Sequence, residues 1–153
     1  MAKAPDKGIF TPKNPDKYIG ANLGQITYRS SWELTAMLKF DQHPNIIQWA
    51  SEPFSVPYKN PLTGRWTMYM PDFLLVYVDR SGKQHTEVVE IKPLGEVPGA
   101  EIISERTGRP LRLSKRQQLT RQINAAKWQA CASFCAKRGL FFRIITEKQL
   151  FGR

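Results

Sequence analysis

Trp66-Thr67-Met68-Tyr69-Met70-Pro71-Asp72-Phe73-Leu74-Leu75-Val76-Tyr77-Val78-Asp79-Arg80-Ser81-Gly82-Lys83-Gln84-His85-Thr86-Glu87-Val88-Val89-Glu90-Ile91-Lys92 is the stretch that decides the fold. Trp66 to Val78 is apolar and aromatic, and predicts a strand. Asp79 to Lys83 reads as a hairpin turn, and His85 to Ile91 as the returning strand. Pro93 cannot donate to a ladder, so the chain leaves the sheet there. Strand side chains alternate, so Glu90 and Lys92 share a face and Ile91 points away. The hairpin lays Pro71-Asp72 beside Glu90-Ile91-Lys92, with Asp72 facing Glu90 when the register allows it.

Outward from the hairpin, helices flank strands. Ser30-Ser31-Trp32-Glu33 fits a capping box and opens a helix that His43-Pro44 stops. Ile46 to Trp49 and Phe54 to Tyr58 are short strand-like pieces. Residues 94 to 113, with three glycines and two prolines, read as a long mobile loop. Ser114, with Gln117 three residues on, caps a long helix that Lys137-Arg138-Gly139 ends. Leu140 to Ile145 is a last strand. The fold class is α/β, a mixed central sheet flanked by helices. Residues 1 to 27 are rich in Pro, Gly, Lys and Asn and read as an extended N-terminal arm, leaving 28 to 153 as the domain.

The 153 residues carry 23 Lys and Arg against 13 Asp and Glu, a net charge of +10. Such an excess favours a polyanionic partner, nucleic acid before an anionic membrane. Arg106 to Ile145 holds ten cations and no acid, so this stretch supplies the whole net charge. Arg112, Lys115, Arg116, Arg121 and Lys127 are its candidate DNA contacts, and Arg29 and Lys39 would extend that surface. The longest apolar run, Phe73 to Val78, is six residues, whereas a bilayer needs about 20. The first residues have no apolar core, so no secretory signal is expected. Cys131 and Cys135 have no zinc-ligand partners at suitable spacing and read as buried, reduced helix residues.

Glu33, Asp72, Glu90 and Lys92 form the candidate catalytic set, with Asp72, Glu90 and Glu33 as metal ligands. Neighbouring buried carboxylates repel, at a cost of several kcal/mol each unless paired or bound to metal. Mg²⁺ takes oxygen ligands and keeps several waters, and Mn²⁺ suits the same donors. Such an ion activates water and stabilises charge on a phosphoryl oxygen. Lys92 is placed to orient or deprotonate that water. Glu33 has a second reading, because it is also the N3 residue of the capping box. Neither His43 nor His85 is given a catalytic role.

Pro71-Asp72 followed by Glu90-x-Lys92 resembles the PD-(D/E)xK nuclease superfamily, and Glu33 occupies the place of its helix glutamate. That resemblance implies a restriction-endonuclease-like fold, metal ligation by the acids and a catalytic lysine. Ile26-Thr27-Tyr28-Arg29-Ser30-Ser31-Trp32-Glu33, Asn45-Ile46-Ile47-Gln48-Trp49-Ala50-Ser51-Glu52, Glu90-Ile91-Lys92-Pro93 and Ala136 to Glu147 resemble the head completion nucleases of T-even-type phages. Those are similar to the endonuclease subunit of heteromeric transposases. The resemblance covers about residues 15 to 150, and the loop from Leu94 to Leu113 matches poorly. It implies a Mg²⁺-dependent nuclease acting on double-stranded DNA in filled heads before tail joining. It further implies portal, neck or head proteins as partners, a homo-oligomer in the virion as one arrangement, and a place in the head–neck region, with host cytoplasm during assembly. A neck protein that holds DNA without cutting, and a transposase-type endonuclease subunit, are the competing readings.

Overall fold

The computed structural model describes residues 7–152. The chain opens with a two-residue strand, β1 (Gly8–Ile9), which pairs with β2 (Thr27–Tyr28). Helix α1 (Ser31–Gln42) follows, with the Ser30 hydroxyl accepting from the Glu33 N–H. Strand β3 (Ile46–Ser51) comes next, then a hairpin of β4 (Val56–Lys59) and β5 (Trp66–Tyr69). Strands β6 (Phe73–Val78) and β7 (Gln84–Ile91) form the central hairpin. Helix α2 (Lys115–Ala136), strand β8 (Phe141–Ile145) and a short helix α3 (Glu147–Phe151) complete the fold.

The main sheet has the order β3-β6-β7-β8, antiparallel except for the β7–β8 pair. Alternation divides its residues between two cores. Phe73, Leu75, Val89 and Ile91 pack with α1 residues Met37 and Phe40. Leu74, Val88, Phe142 and Ile144 pack with α2 residues Trp128, Cys131 and Cys135. The expected mixed sheet between helices is therefore the observed architecture. Both thiols are free and buried, and burial pushes the Cys131 thiol up, as befits inert core residues.

Four elements differ from the sequence reading. The strand expected over Trp66 to Val78 is two strands, because Pro71 has no N–H to donate and the chain turns there. Its first half pairs with β4, its second with β3 and β7. The arm expected over residues 1 to 27 is, from residue 7 onward, packed on the domain; residues 1–6 lie outside the described residues. Phe10 and Tyr18 close on Trp49 at ring-centroid distances of 5.7 and 4.7 Å. The buried Asp41 carboxylate accepts from the N–H groups of Lys13 and Asn14 at 2.9 and 3.2 Å. The loop over 94–113 is built rather than loose: a 3₁₀ turn covers Leu94–Glu96, and Ile103 bridges Pro110. Finally, α3 was not expected; its Thr146 forms a full capping box with Gln149.

Candidate active site

The register of the central hairpin pairs Phe73 with Val89, so one step further Asp72 meets Glu90. Both residues lie where the hairpin leaves the sheet. The Asp72 N–H donates to Glu90 Oε1 at 3.2 Å, and the Ile91 N–H donates to Asp72 Oδ2 at 2.8 Å. The Asp72 carbonyl accepts from the Glu52 N–H at 2.8 Å. Glu52 sits at φ +48°, an uncommon conformation for a non-glycine residue, and its carboxylate pairs with Arg29. Backbone geometry thus holds Asp72 from both sides.

Glu90 is buried, with 3% of its surface exposed, and Lys92 Nζ stands 3.9 Å from its Oε2. A cavity of about 490 Å³ opens over this corner. Its walls include Glu33, Asp72, Lys92, Arg29 and Glu96. Burial, then the neighbouring Glu90 carboxylate, holds the Asp72 carboxyl well above the usual carboxylate range. Burial raises Glu90 too, against the pull of Lys92. Two buried acids raised together form a site that a bound cation would stabilise.

The donor set suits a hard divalent cation. Asp72 Oδ2 and Glu90 Oε1 are each engaged by a backbone N–H, while Asp72 Oδ1 and Glu90 Oε2 accept no backbone bond. Mg²⁺ is commonly bound through one or two carboxylates with water completing the shell. Among the described residues, no group of three His, Cys, Asp or Glu side chains is close enough to cage an ion. Glu33 therefore lines the cavity without closing a three-acid ring. Its Oε2 accepts from the Ser30 hydroxyl at 3.2 Å, so it keeps its capping role while facing the same space as Asp72.

The candidate DNA contacts separate into two groups. Arg112, Lys115 and Arg116 are exposed at the start of α2. Arg121 turns inward, its Nε donating to the Gly95 carbonyl at 2.9 Å, and pins the loop. Lys127 also turns inward, its Nζ 5.9 and 5.7 Å from the ring centroids of Tyr58 and Tyr69. Burial and then Lys92 lower its pKa from the usual lysine value, while Glu90 and Asp72 oppose that shift. Its place over Tyr69, whose hydroxyl is buried beside Glu90, borders the carboxylate corner. Lys39, expected to extend the DNA surface, is exposed and donates to the Leu150 carbonyl at the end of α3. His85 lies 2.7 Å from Asp79 in the hairpin turn, and His43 Nδ1 accepts from the Asn45 N–H, so neither reaches the site.

Tyr69 and Glu96 were not singled out from the sequence. The Tyr69 hydroxyl is buried beside Glu90, and burial pushes it up, with the carboxylate adding to the shift. A tyrosine inside an apolar run carries no sign that separates a site residue from a core residue. Glu96 comes from the poorly matching loop and is placed by Asn124, whose Nδ2 donates to its carbonyl at 2.9 Å.

A family model described as TnsA-like endonuclease N terminal matches residues 43–147. The match includes Asp72, Glu90, Lys92 and Lys127, and leaves Glu33 outside. The head completion nuclease of Enterobacteria phage T4 is 35% identical over 143 residues, covering 94% of this chain and 92% of that protein.

Proposed function

The chain belongs to the TnsA-like endonuclease family, and from that premise we propose that it is a divalent-metal-dependent DNA endonuclease of phage head completion. Its task is to process the end of the packaged double-stranded DNA before the tail joins. The observation that carries the catalytic reading is the pairing of Asp72 with the buried Glu90, at the edge of a cavity that Asp72, Lys92 and Glu33 line. The setting follows the similarity to the phage T4 protein. For this setting we propose portal, neck or head proteins as partners, homo-oligomeric assembly as one arrangement, and the head–neck region as the place of action. No helix among the described residues is long and apolar enough to cross a membrane.

Asp72 and Glu90 would hold Mg²⁺, or Mn²⁺ in its place. When bound, such an ion acidifies water and stabilises charge on the phosphoryl oxygens. Glu33, across the cavity, accepts hydrogen bonds from water held there. Lys92 carries a compact, strongly hydrated charge with three donors. It orients the attacking water and neutralises the charge that grows on the phosphate as the water oxygen bonds to phosphorus and the bridging P–O bond breaks. The Arg29–Glu52 pair and the Glu52 N–H keep Asp72 from shifting as that charge develops.

Linear and supercoiled duplex DNA incubated with Mg²⁺, Mn²⁺ or EDTA tests this. Lys92→Ala and Asp72→Ala run alongside, with binding measured separately. Metal-dependent cutting that both variants lose while they still bind DNA is the expected result. Binding without cutting under every metal would overturn the proposal for the isolated protein.

A further inference from the structure

Away from the carboxylate corner, a groove of about 690 Å³ runs between β4 and the C-terminal half of α2. One wall is Tyr58, Lys59 and Trp66; the other is Phe134, Lys137 and Arg138. Lys59 and Trp66 are direct cross-strand partners near the turn of the β4–β5 hairpin. No acidic residue lines the groove, and three cations do. Trp66 is 71% exposed, the highest value among the large apolar residues that face solvent. Burying its indole in a core would have stabilised the fold, so its place at the rim calls for a ligand with an aromatic face.

The aromatic rings of the groove are not equally free. Phe134 is stacked on Phe54 on one side, and the Arg138 guanidinium lies 3.5 Å from its ring centroid. Tyr58 is buried, with Lys127 over its ring. Trp66 has no ring or cation stacked on it among the described residues. Tyr58, in the groove wall, lies under Lys127, whose Nζ also stands over the Tyr69 ring.

We propose that this groove binds a single-stranded stretch of the DNA substrate, with an unpaired base stacked on Trp66 and its phosphates held by Lys59, Lys137 and Arg138. An open, cation-rimmed groove with an aromatic platform is the arrangement by which proteins hold unpaired strands without sequence preference. In a duplex the base faces are already stacked and out of reach. The proposal rests on the nuclease reading only in taking DNA as the ligand. It assigns the enzyme a substrate with a frayed, overhanging or branched end.

The test separates binding from cutting by working in EDTA. A fluorescein-labelled oligo(dT) and a duplex of equal length are titrated with wild type, Trp66→Ala, Trp66→Phe and Lys137→Ala/Arg138→Ala. Trp66 is exposed, so these variants keep the fold, and circular dichroism checks that. Trp66→Ala is expected to lose about tenfold in affinity for oligo(dT), with little change for the duplex. Trp66→Phe restores most of that loss, because a phenyl ring still stacks. Oligo(dT) also quenches the tryptophan emission of wild type more than that of Trp66→Phe. Equal affinities of wild type and Trp66→Ala for oligo(dT), or no quenching specific to Trp66, would overturn the inference, and would leave the groove to a protein partner. Retained stacking in a protein that never cuts DNA would overturn the nuclease reading alone.

Discussion

At the scale of single residues, the Asp72–Glu90 pair sets stability against chemistry. Each carboxyl is raised by burial, and Asp72 further by Glu90 and then Glu33. A raised acid favours the neutral form in the fold. Its stabilising contribution is complete below the ordinary carboxylate pKa and is lost as pH rises through the raised value. Asp72→Asn removes the titration and keeps an oxygen for the Ile91 N–H. It should therefore raise unfolding free energy at pH 7 by about 1–3 kcal/mol while abolishing cleavage. Denaturant melts from pH 4 to pH 8 check the sign: the gap between variant and wild type widens as pH rises. A gap that stays flat would deny the coupling. The same pair predicts a metal effect. Saturating Mg²⁺ should raise the wild-type melting temperature, since a ligand at about 100 times its Kd stabilises by about 2.7 kcal/mol. Asp72→Asn should respond far less, and calorimetry with and without the ion reads the difference.

At the scale of elements, the site is a joint between strands, a helix and a loop. Asn124 on α2 is buried, and its amide donates to the Glu96 carbonyl, while Arg121 holds Gly95. Asn124→Ala leaves that carbonyl without its partner and should cost about 1–3 kcal/mol. The loss falls first on the loop over 94–113, which carries exposed Arg106 and Arg109. Limited trypsin digestion should cut there several times faster in the variant; an unchanged rate would mean that the loop stands without its anchor. This dependence marks where the sequence stopped being legible. The central hairpin, the two capped helices and the Asp72–Glu90 juxtaposition follow from alternation, turn residues and caps, all local signals. The turn at Pro71 was local too, but an apolar run on both sides masked it. The packed N-terminal segment was not local. Its partners, Asp41 and Trp49, lie more than twenty residues away, and its Pro and Gly content resembles that of an unanchored tail. The inward turn of Arg121 and Lys127 is likewise set by loop carbonyls and tyrosine rings that the helix period does not announce.

At the scale of the whole molecule, folding sorts the ten cations of the Arg106–Ile145 stretch. Arg121 is spent on the loop, Lys127 lies over the Tyr58 and Tyr69 rings, and Arg143 lies 3.0 Å from Glu87 on the sheet. The remaining seven, Arg106, Arg109, Arg112, Lys115, Arg116, Lys137 and Arg138, are exposed. They stand on the loop and at the two ends of α2, so a long strand lying along that helix passes all three clusters. Neutralising a duplex phosphate adds about 0.9 to the slope of log affinity against log salt. Replacing Lys115 and Arg116 together with Gln should therefore lower the slope for duplex binding by about 2. Arg143→Gln should leave it unchanged, because that guanidinium is already matched by Glu87. Titrations of labelled duplex between low and moderate salt, in EDTA so that no cutting intervenes, distinguish the two. Equal slopes for all three proteins would mean that net charge alone attracts the DNA, and that the folded arrangement of the cations selects no path for it.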